Sequence, residues 1–300
     1  MHQQLSLLQA IIFGILQGLT ELFPISSLGH SVILPHLMGW NSIIRAQNTK
    51  NSYFLAFLVG LHVATALGMF IYFRKDWFKI IKAVLTSLQT RSIDTPDARL
   101  GWLLIVATIP AGLMGLIFEN LFRQLFAKPL AASIFLFING LILVAGEQFR
   151  QRSELSSGGH SGRTNPYSTE TTVRRLDDLE YKEAGIIGVA QVFALLAGIS
   201  RSGITMVAGL VRGLDHEDAA RFSFLMATPI ILAAGLYKLP LLLGHAGSGV
   251  RVQVVIGSIF ALVTSYLSVR FLTRYFQTKN LYPFAAYCLA LGSLLIIKFA

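Results

Sequence analysis

Long apolar runs separated by short polar interruptions fill the chain, and six of the runs are long enough to cross a bilayer. Tyr53 to Phe73, Leu100 to Phe118 and Pro129 to Gly146 contain no Asp, Glu, Lys or Arg. The later runs are Phe222 to Gly244, interrupted by Lys238 near one end, Val252 to Val269, and Leu281 to Ile297. At about 1.5 Å per residue, roughly 20 residues of helix cover a hydrocarbon core of about 30 Å. A spanning backbone must satisfy its own hydrogen bonds, so each run predicts a transmembrane helix.

Two further apolar regions are broken in the middle. Leu5 to Met38 is interrupted at Phe23-Pro24-Ile25-Ser26-Ser27, and Ala184 to Leu214 at Ala197-Gly198-Ile199-Ser200-Arg201-Ser202-Gly203. Their outgoing arms, Ser27 to Met38 and Ser202 to Gly213, have 12 residues each, or about 18 Å of helix, too short to cross. Both regions are therefore expected to be re-entrant helix-turn-helix hairpins that enter and leave on one side, with broken backbone sheltered by protein or a wet cavity. Each half of the chain then holds one hairpin and three crossings. Three crossings change sides, so the second half lies upside down relative to the first. The predicted fold is an all-α polytopic membrane protein, six transmembrane helices plus two re-entrant hairpins in an inverted-topology repeat, which places sites at the midplane. Residues 1–147 form the first repeat (hairpin 5–38; spans 53–73, 100–118, 129–146), 148–183 a linker, and 184–300 the second (hairpin 184–214; spans 222–244, 252–269, 281–297). At an offset of 174, Gly14, Gln17, Leu22, Ile25, Ser26 and Gly29 meet Gly188, Gln191, Leu196, Ile199, Ser200 and Gly203.

Composition removes the soluble classes. Of 300 residues 54% are hydrophobic and 13% charged, and the mean hydropathy is +0.61, against about 25% charged in soluble domains. This excludes an ordinary globule, a disordered chain and a nucleic-acid partner, despite a net charge of +10. Met1 to Ala10 holds no Lys or Arg, so no cleavable signal peptide is expected there. Cys288 is the one cysteine, expected as a buried free thiol; a disulfide framework is excluded. Counted over the predicted loops, 17 basic residues lie on one side, 7 on the other, and Arg201 sits in a hairpin turn. Positive-inside bias makes the richer side cytoplasmic. Both termini and the mouth of the first hairpin then face outward, and the Ser/Gly/Arg-rich linker is cytoplasmic.

The chemistry-bearing residues cluster at the two breaks. Gln17 and Glu21 are four apart and share a helix face; Ser27 and His30 are three apart on the next arm. With Ser26, they bring an acid, hydroxyls and an imidazole to one turn. The second turn holds Ser200, Arg201, Ser202 and Thr205. Intramembrane ionisable groups are expensive and read first as functional. Arg201 offers a planar fork for phosphate oxygens. Ser202 and Gly203 open an arm whose free N–H groups favour an anion, and Gly198 and Gly203 allow close backbone approach. Without a Walker-type loop nothing suggests a nucleotide; a phosphate in a mid-membrane cleft suggests a lipid phosphate.

Gln17-Gly-Leu-Thr-Glu21-Leu-Phe-Pro-Ile-Ser-Ser27-Leu-Gly-His30 resembles the (Glu/Gln)-x-x-x-Glu and Pro-x-Ser-Ser-x-Gly-His motifs of undecaprenyl-diphosphate phosphatases, the bacitracin-resistance family. Ala197-Gly-Ile-Ser-Arg201-Ser-Gly-Ile-Thr205 resembles its second motif, with Ala197 where the family has Pro. The resemblance covers nearly the whole chain. It implies hydrolysis of a polyprenyl diphosphate to the monophosphate carrier of cell-wall synthesis, bacitracin resistance, residence in the bacterial plasma membrane with the site open to the outer face, and a divalent cation, Mg or Ca. Carried over by position, it implies a catalytic group of Glu21, Ser27, His30 and Arg201, with Gln17, Ser26, Gly198, Ser200, Ser202, Gly203 and Thr205 lining the diphosphate pocket and Glu21, with Gln17, near the metal. Two routes stay open: attack by Ser27, activated by His30 or Glu21, to give a phosphoserine, or direct attack by a positioned water.

Plainer readings apply elsewhere. Ser6, Ser133, Ser223 and Ser258 are expected to bond their own or a neighbouring helix. His62, a lone imidazole on an uncharged span, reads as structural, Glu119 and Glu147 as interfacial, Pro110 and Pro229 as kinks, and Arg74 to Lys82 as a positive flank. The competing class is a transporter or flippase of polyprenyl phosphate or a small anion using the same midplane pocket. A membrane serine hydrolase fits poorly, since no Gly-x-Ser-x-Gly elbow is present. Lipid chain length and a homodimer are left open.

Overall fold

A computed structural model describes residues 5–49, 52–118, 128–158 and 174–300, the side chains of 153–158 excepted. Glu119, the loop cations Lys50, Arg123 and Arg163, and the middle of the 148–183 linker lie outside the described residues. The helices are α1 (Leu7–Thr20), α2 (Ser27–Met38), α3 (Asn41–Gln47), α4 (Tyr53–Tyr72), α5 (Arg74–Thr90), α6 (Pro96–Ile117), α7 (Pro129–Gly158), α8 (Tyr181–Val192), α9 (Arg201–Val211), α10 (His216–Leu243), α11 (His245–Ser248), α12 (Arg251–Tyr275) and α13 (Tyr282–Phe299). No strand occurs among the described residues.

Six helices are long and apolar enough to cross a membrane: α4, α6, α7 as far as Arg152, α10, α12 and α13. Each covers one of the six predicted runs, all or all but one terminal residue of it, and the chain is a multi-pass membrane protein. Large side chains on them are bared to the surroundings, Ile117 at 69%, Leu236 at 71% and Ile297 at 79%, which suits lipid and would be a liability in water. The helices outrun the apolar runs because capping, not hydropathy, ends them. Thr95 accepts from Ala98 N ahead of Pro96, and Asp215 from Asp218 N, each meeting an orphan donor of the first turn. Helix α7 likewise continues past Gly146 into the linker, whose far end is pinned where Arg174 donates to both Glu183 oxygens, at 2.7 and 2.9 Å, and to Arg212 O at 3.0 Å.

Two details depart from the sequence reading. Helix α5 fills a stretch that hydropathy leaves blank. Trp77 and Ile80 are buried while Phe78, Ile81, Leu85 and Leu88 form an exposed apolar stripe beside Lys79 and Lys82, the make-up of a helix lying at a bilayer surface. Glu147 is buried rather than interfacial. Its Oε1 lies 2.6 Å from Leu281 N and 2.6 Å from His216 Nε2, with Arg150 against the same imidazole, so it ties α7, α10 and α13 together.

Close helix crossings depend on missing side chains. Helix α1 packs on α12 with Gly14 against the Gly257 carbonyl, and α8 packs on α6 with Gly188 against the Ala107 carbonyl. A side chain at either position would strike backbone. Gly188→Leu is expected to part α8 from α6 at a cost of about 1–3 kcal/mol, read as a lowered melting midpoint in detergent; an unchanged midpoint would contradict this packing.

Candidate active site

The two breaks interlock. In the first, Ser26 has φ 71°, in the left-handed region that a non-glycine residue adopts only when its surroundings hold it there. Its hydroxyl accepts from Gly29 N at 3.3 Å, capping α2, and from Gly198 N of the second break at 3.1 Å. Gly198 has φ 113°, and a Cβ there would meet the Ala132 carbonyl and the α7 backbone at Leu136, so glycine is required twice over. Ser200 caps α9 by accepting from Gly203 N at 3.2 Å and shares a hydrogen bond with the Ser202 hydroxyl at 3.1 Å.

Asn139, wholly buried in α7, clasps both breaks. Its Nδ2 donates to Pro24 O at 2.9 Å, and its Oδ1 accepts from Ser200 N at 2.9 Å. One amide thereby satisfies two backbone groups that the broken helices leave exposed.

Glu21 is the hub. Its Oε1 faces Arg201 Nη2 at 3.3 Å and Nε at 3.4 Å. Its Oε2 accepts from Ser27 Oγ at 2.5 Å and from Gln17 Nε2 at 3.1 Å, with His62 Nε2 at 3.7 Å. Arg201 also donates through Nη1 to Ser223 O at 3.1 Å. Glu21 is 7% exposed and the Arg201 side chain 12%; a buried pair of this kind stands only while both partners remain.

Gln17, Ser27 and Arg201 thus converge on the Glu21 carboxylate, and Ser26, Gly198, Ser200, Ser202 and Gly203 form the scaffold that holds the breaks together. His30 lies beside them but is turned away: Nδ1 donates to Ser26 O at 2.7 Å, and Nε2 accepts from the Tyr287 hydroxyl at 2.8 Å. Thr205 is spent on packing, with its hydroxyl on Arg201 O at 2.7 Å and on Ser223 Oγ at 2.7 Å. The sequence reading took no functional account of Asn139, Tyr287 or His62. For His62 the signal was present, an imidazole within a span; nothing local marks Tyr287.

Asn139→Ala would strip both breaks of their clasp. Leaving Pro24 O and Ser200 N buried and unpaired is expected to cost about 2–5 kcal/mol in all, seen as a lower melting midpoint in detergent, with activity reduced more than tenfold even below that midpoint.

The family described as bacitracin resistance protein BacA matches residues 10–294. The Undecaprenyl-diphosphatase 2 of Frankia alni is 52% identical, covering 100% of this chain and 99% of its own. The Undecaprenyl-diphosphatase of Mycolicibacterium paratuberculosis is 50% identical over 100% of this chain and 99% of its own. The Undecaprenyl-diphosphatase 2 of Chromobacterium violaceum is 41% identical over 95% of this chain and 96% of its own. A match of this extent, on a chain whose two broken helices meet at a buried Glu–Ser–Arg cluster, shows that the protein belongs to the bacitracin resistance protein BacA family.

Proposed function

We propose that this chain is a membrane phosphatase that hydrolyses undecaprenyl diphosphate to undecaprenyl phosphate and inorganic phosphate, recycling a lipid carrier. The observation that carries the reading is Ser27 Oγ at 2.5 Å from Glu21 Oε2, with the Arg201 guanidinium on the other oxygen of that carboxylate. A hydroxyl held by a carboxylate beside a planar cation is the equipment for in-line attack on phosphorus. Ser27 is the nucleophile on this reading. Glu21 holds its hydroxyl, since His30 makes no bond to it. Arg201, released in part from Glu21 by the arriving diphosphate, steadies the equatorial oxygens. The proximity of Ser200 and Ser202 to Arg201 adds donors at the opening of α9.

The residues fit a cation carried in with the diphosphate. No group of three or more His, Cys, Asp or Glu able to hold an ion occurs among the described residues, but Gln17 Oε1 is buried with no hydrogen-bond partner beside the Glu21 carboxylate. One carboxylate, one amide oxygen and substrate phosphates suit Mg or Ca, which take oxygen ligands and often share them with substrate. When bound, the cation would neutralise developing charge on the diphosphate.

The helices on either side of the site are read as re-entrant hairpins of an inverted repeat. Arms of 14 and 12 residues in the first and 12 and 11 in the second are short for a crossing. A contact also recurs at the offset of 174, Gly29 lying on Gly198 while Gly203 lies on Pro24, and the packing of α1 on α12 is answered by that of α8 on α6, there with an offset of 150 between Ala107 and Gly257. With the 17 basic residues inside, the first hairpin opens outward, both termini lie outside, and the diphosphate enters from the outer face of the plasma membrane. Such a repeat also suits a transporter of polyprenyl phosphate, which would release no inorganic phosphate.

Purified protein given undecaprenyl or farnesyl diphosphate is expected to release phosphate and to stop in chelator. Glu21→Gln and Arg201→Ala should each lose more than about 100-fold in turnover and some stability, because a buried charge is left alone. The double variant Glu21→Gln/Arg201→Gln should regain stability and stay inactive. Rapid quench should trap a phosphoenzyme that Ser27→Ala lacks; full turnover by Ser27→Ala would favour water as the nucleophile, and no phosphate release from the parent would remove the phosphatase reading.

A further inference from the structure

A cavity of about 570 Å3 opens where α4 gives way to α5, between the start of α10 and the end of α12. None of the residues that converge on Glu21 lines it. We propose that this cavity holds the headgroup of an anionic phospholipid, at a lipid site separate from the one read above as reacting.

The charge in the cavity is unbalanced. Arg74, Lys75, Arg221 and Arg274 face two carboxylates, Asp76 and Glu217. Asp76 Oδ1 is taken by Arg221 Nη2 at 2.7 Å, and Glu217 Oε1 accepts from Gln277 Nε2 at 3.3 Å. Arg74 spends Nη1 on Ile71 O at 3.2 Å. The Lys75 and Arg274 side chains have no protein partner among the described residues. A phosphodiester suits this set, because arginine offers a planar fork of donors and lysine a compact point charge.

The cations are also held at set spacings, unlike those of a loose positive flank. The Tyr72 hydroxyl lies 2.8 Å from Thr273 Oγ1 and ties α4 to α12, while the Arg221–Asp76 pair ties α10 to α5. Four helices thus present basic groups to one hollow. Basic pockets between membrane helices near a leaflet surface select anionic headgroups.

The surroundings favour a lipid over a free anion. Ile71 and Phe271, on the same two helices as Tyr72 and Thr273, are 41% and 53% exposed, giving acyl chains an apolar surface beside the headgroup. Helix α5, which starts at the cavity with Arg74 and Lys75, carries the exposed stripe of Phe78, Ile81, Leu85 and Leu88. A helix of that make-up lies at headgroup depth. On the orientation proposed above this lipid belongs to the inner leaflet, so it is not the diphosphate arriving from outside.

The test is native mass spectrometry of the purified protein in detergent, titrated with phosphatidylglycerol or phosphatidylcholine. Lys75→Gln/Arg274→Gln removes two cations from the cavity. Lys79→Gln/Lys82→Gln removes the same charge from the exposed face of α5 outside it. All four residues are exposed, and both variants are expected to keep the parent melting midpoint. The parent is expected to bind phosphatidylglycerol at least about tenfold more tightly than phosphatidylcholine, and the cavity variant to lose about 10- to 30-fold of that affinity. The α5 variant should stay within about threefold of the parent. The inference is overturned if the parent shows no preference for phosphatidylglycerol, or if both variants lose affinity equally, which would leave only general surface charge. It is also overturned if inorganic phosphate, at ionic strength matched with chloride, displaces the lipid from the parent, since the cavity would then be a free-anion site. The measurement uses no substrate, so its outcome is independent of the phosphatase reading.

Discussion

A carboxylate from one half of the chain meets a guanidinium from the other inside an apolar protein, and the rest of the architecture answers to that contact. Neither charge can be left alone at depth, where an unpaired ion costs several kcal/mol. Glu21 sits on the first break and Arg201 on the second, 180 residues later, so the pair is complete only when both halves are docked. The supporting bonds serve this end. Ser26 and Asn139 tie the two breaks by their backbones, and Gly198 lets them close to contact. On the proposed reading, the pair is also what a diphosphate would have to disturb to bind, because the Arg201 guanidinium is already engaged at 3.3 Å. Long, off-centre contacts of that length are easier to exchange than a tight bidentate pair.

How much of this could be read from the sequence followed the physics of each signal. The bilayer demands apolar length, so all six crossings were legible. Helix α2 matches its predicted arm, Ser27 to Met38, end for end. The buried ions were legible because charge inside a membrane is rare and expensive. Helix α5 was not, since its lysines hide an apolar stripe that a hydropathy run does not register. Asn139 carries no charge and stands in an uncharged run, and its partners are main-chain groups 115 and 61 residues distant. Tyr287 reaches His30 across 257 residues, and nothing near it in sequence announces the contact. Neutral residues that bond distant backbone leave no local trace; ions and long apolar runs do.

On the proposed inverted repeat, the last question is why two like halves make one unlike site. Repeat-related positions near a shared axis face their own equivalents, so identical sequences would set acid against acid. The breaks keep what the joint needs in common: Ser26 and Ser200 each cap the following arm by accepting from a glycine N–H three residues on. They differ where charge is concerned. Glu21 is answered by Leu195, and Ser27 by Arg201, so the first break supplies carboxylate and hydroxyl and the second supplies the cation. Gln17 stays in the working half beside Glu21, whereas its counterpart Gln191 is buried with both amide atoms unpaired. That orphan polarity is costly, and it lies at the position in the second half that corresponds to Gln17. The capping serines are therefore shared by both halves, while the carboxylate and hydroxyl come from one and the guanidinium from the other.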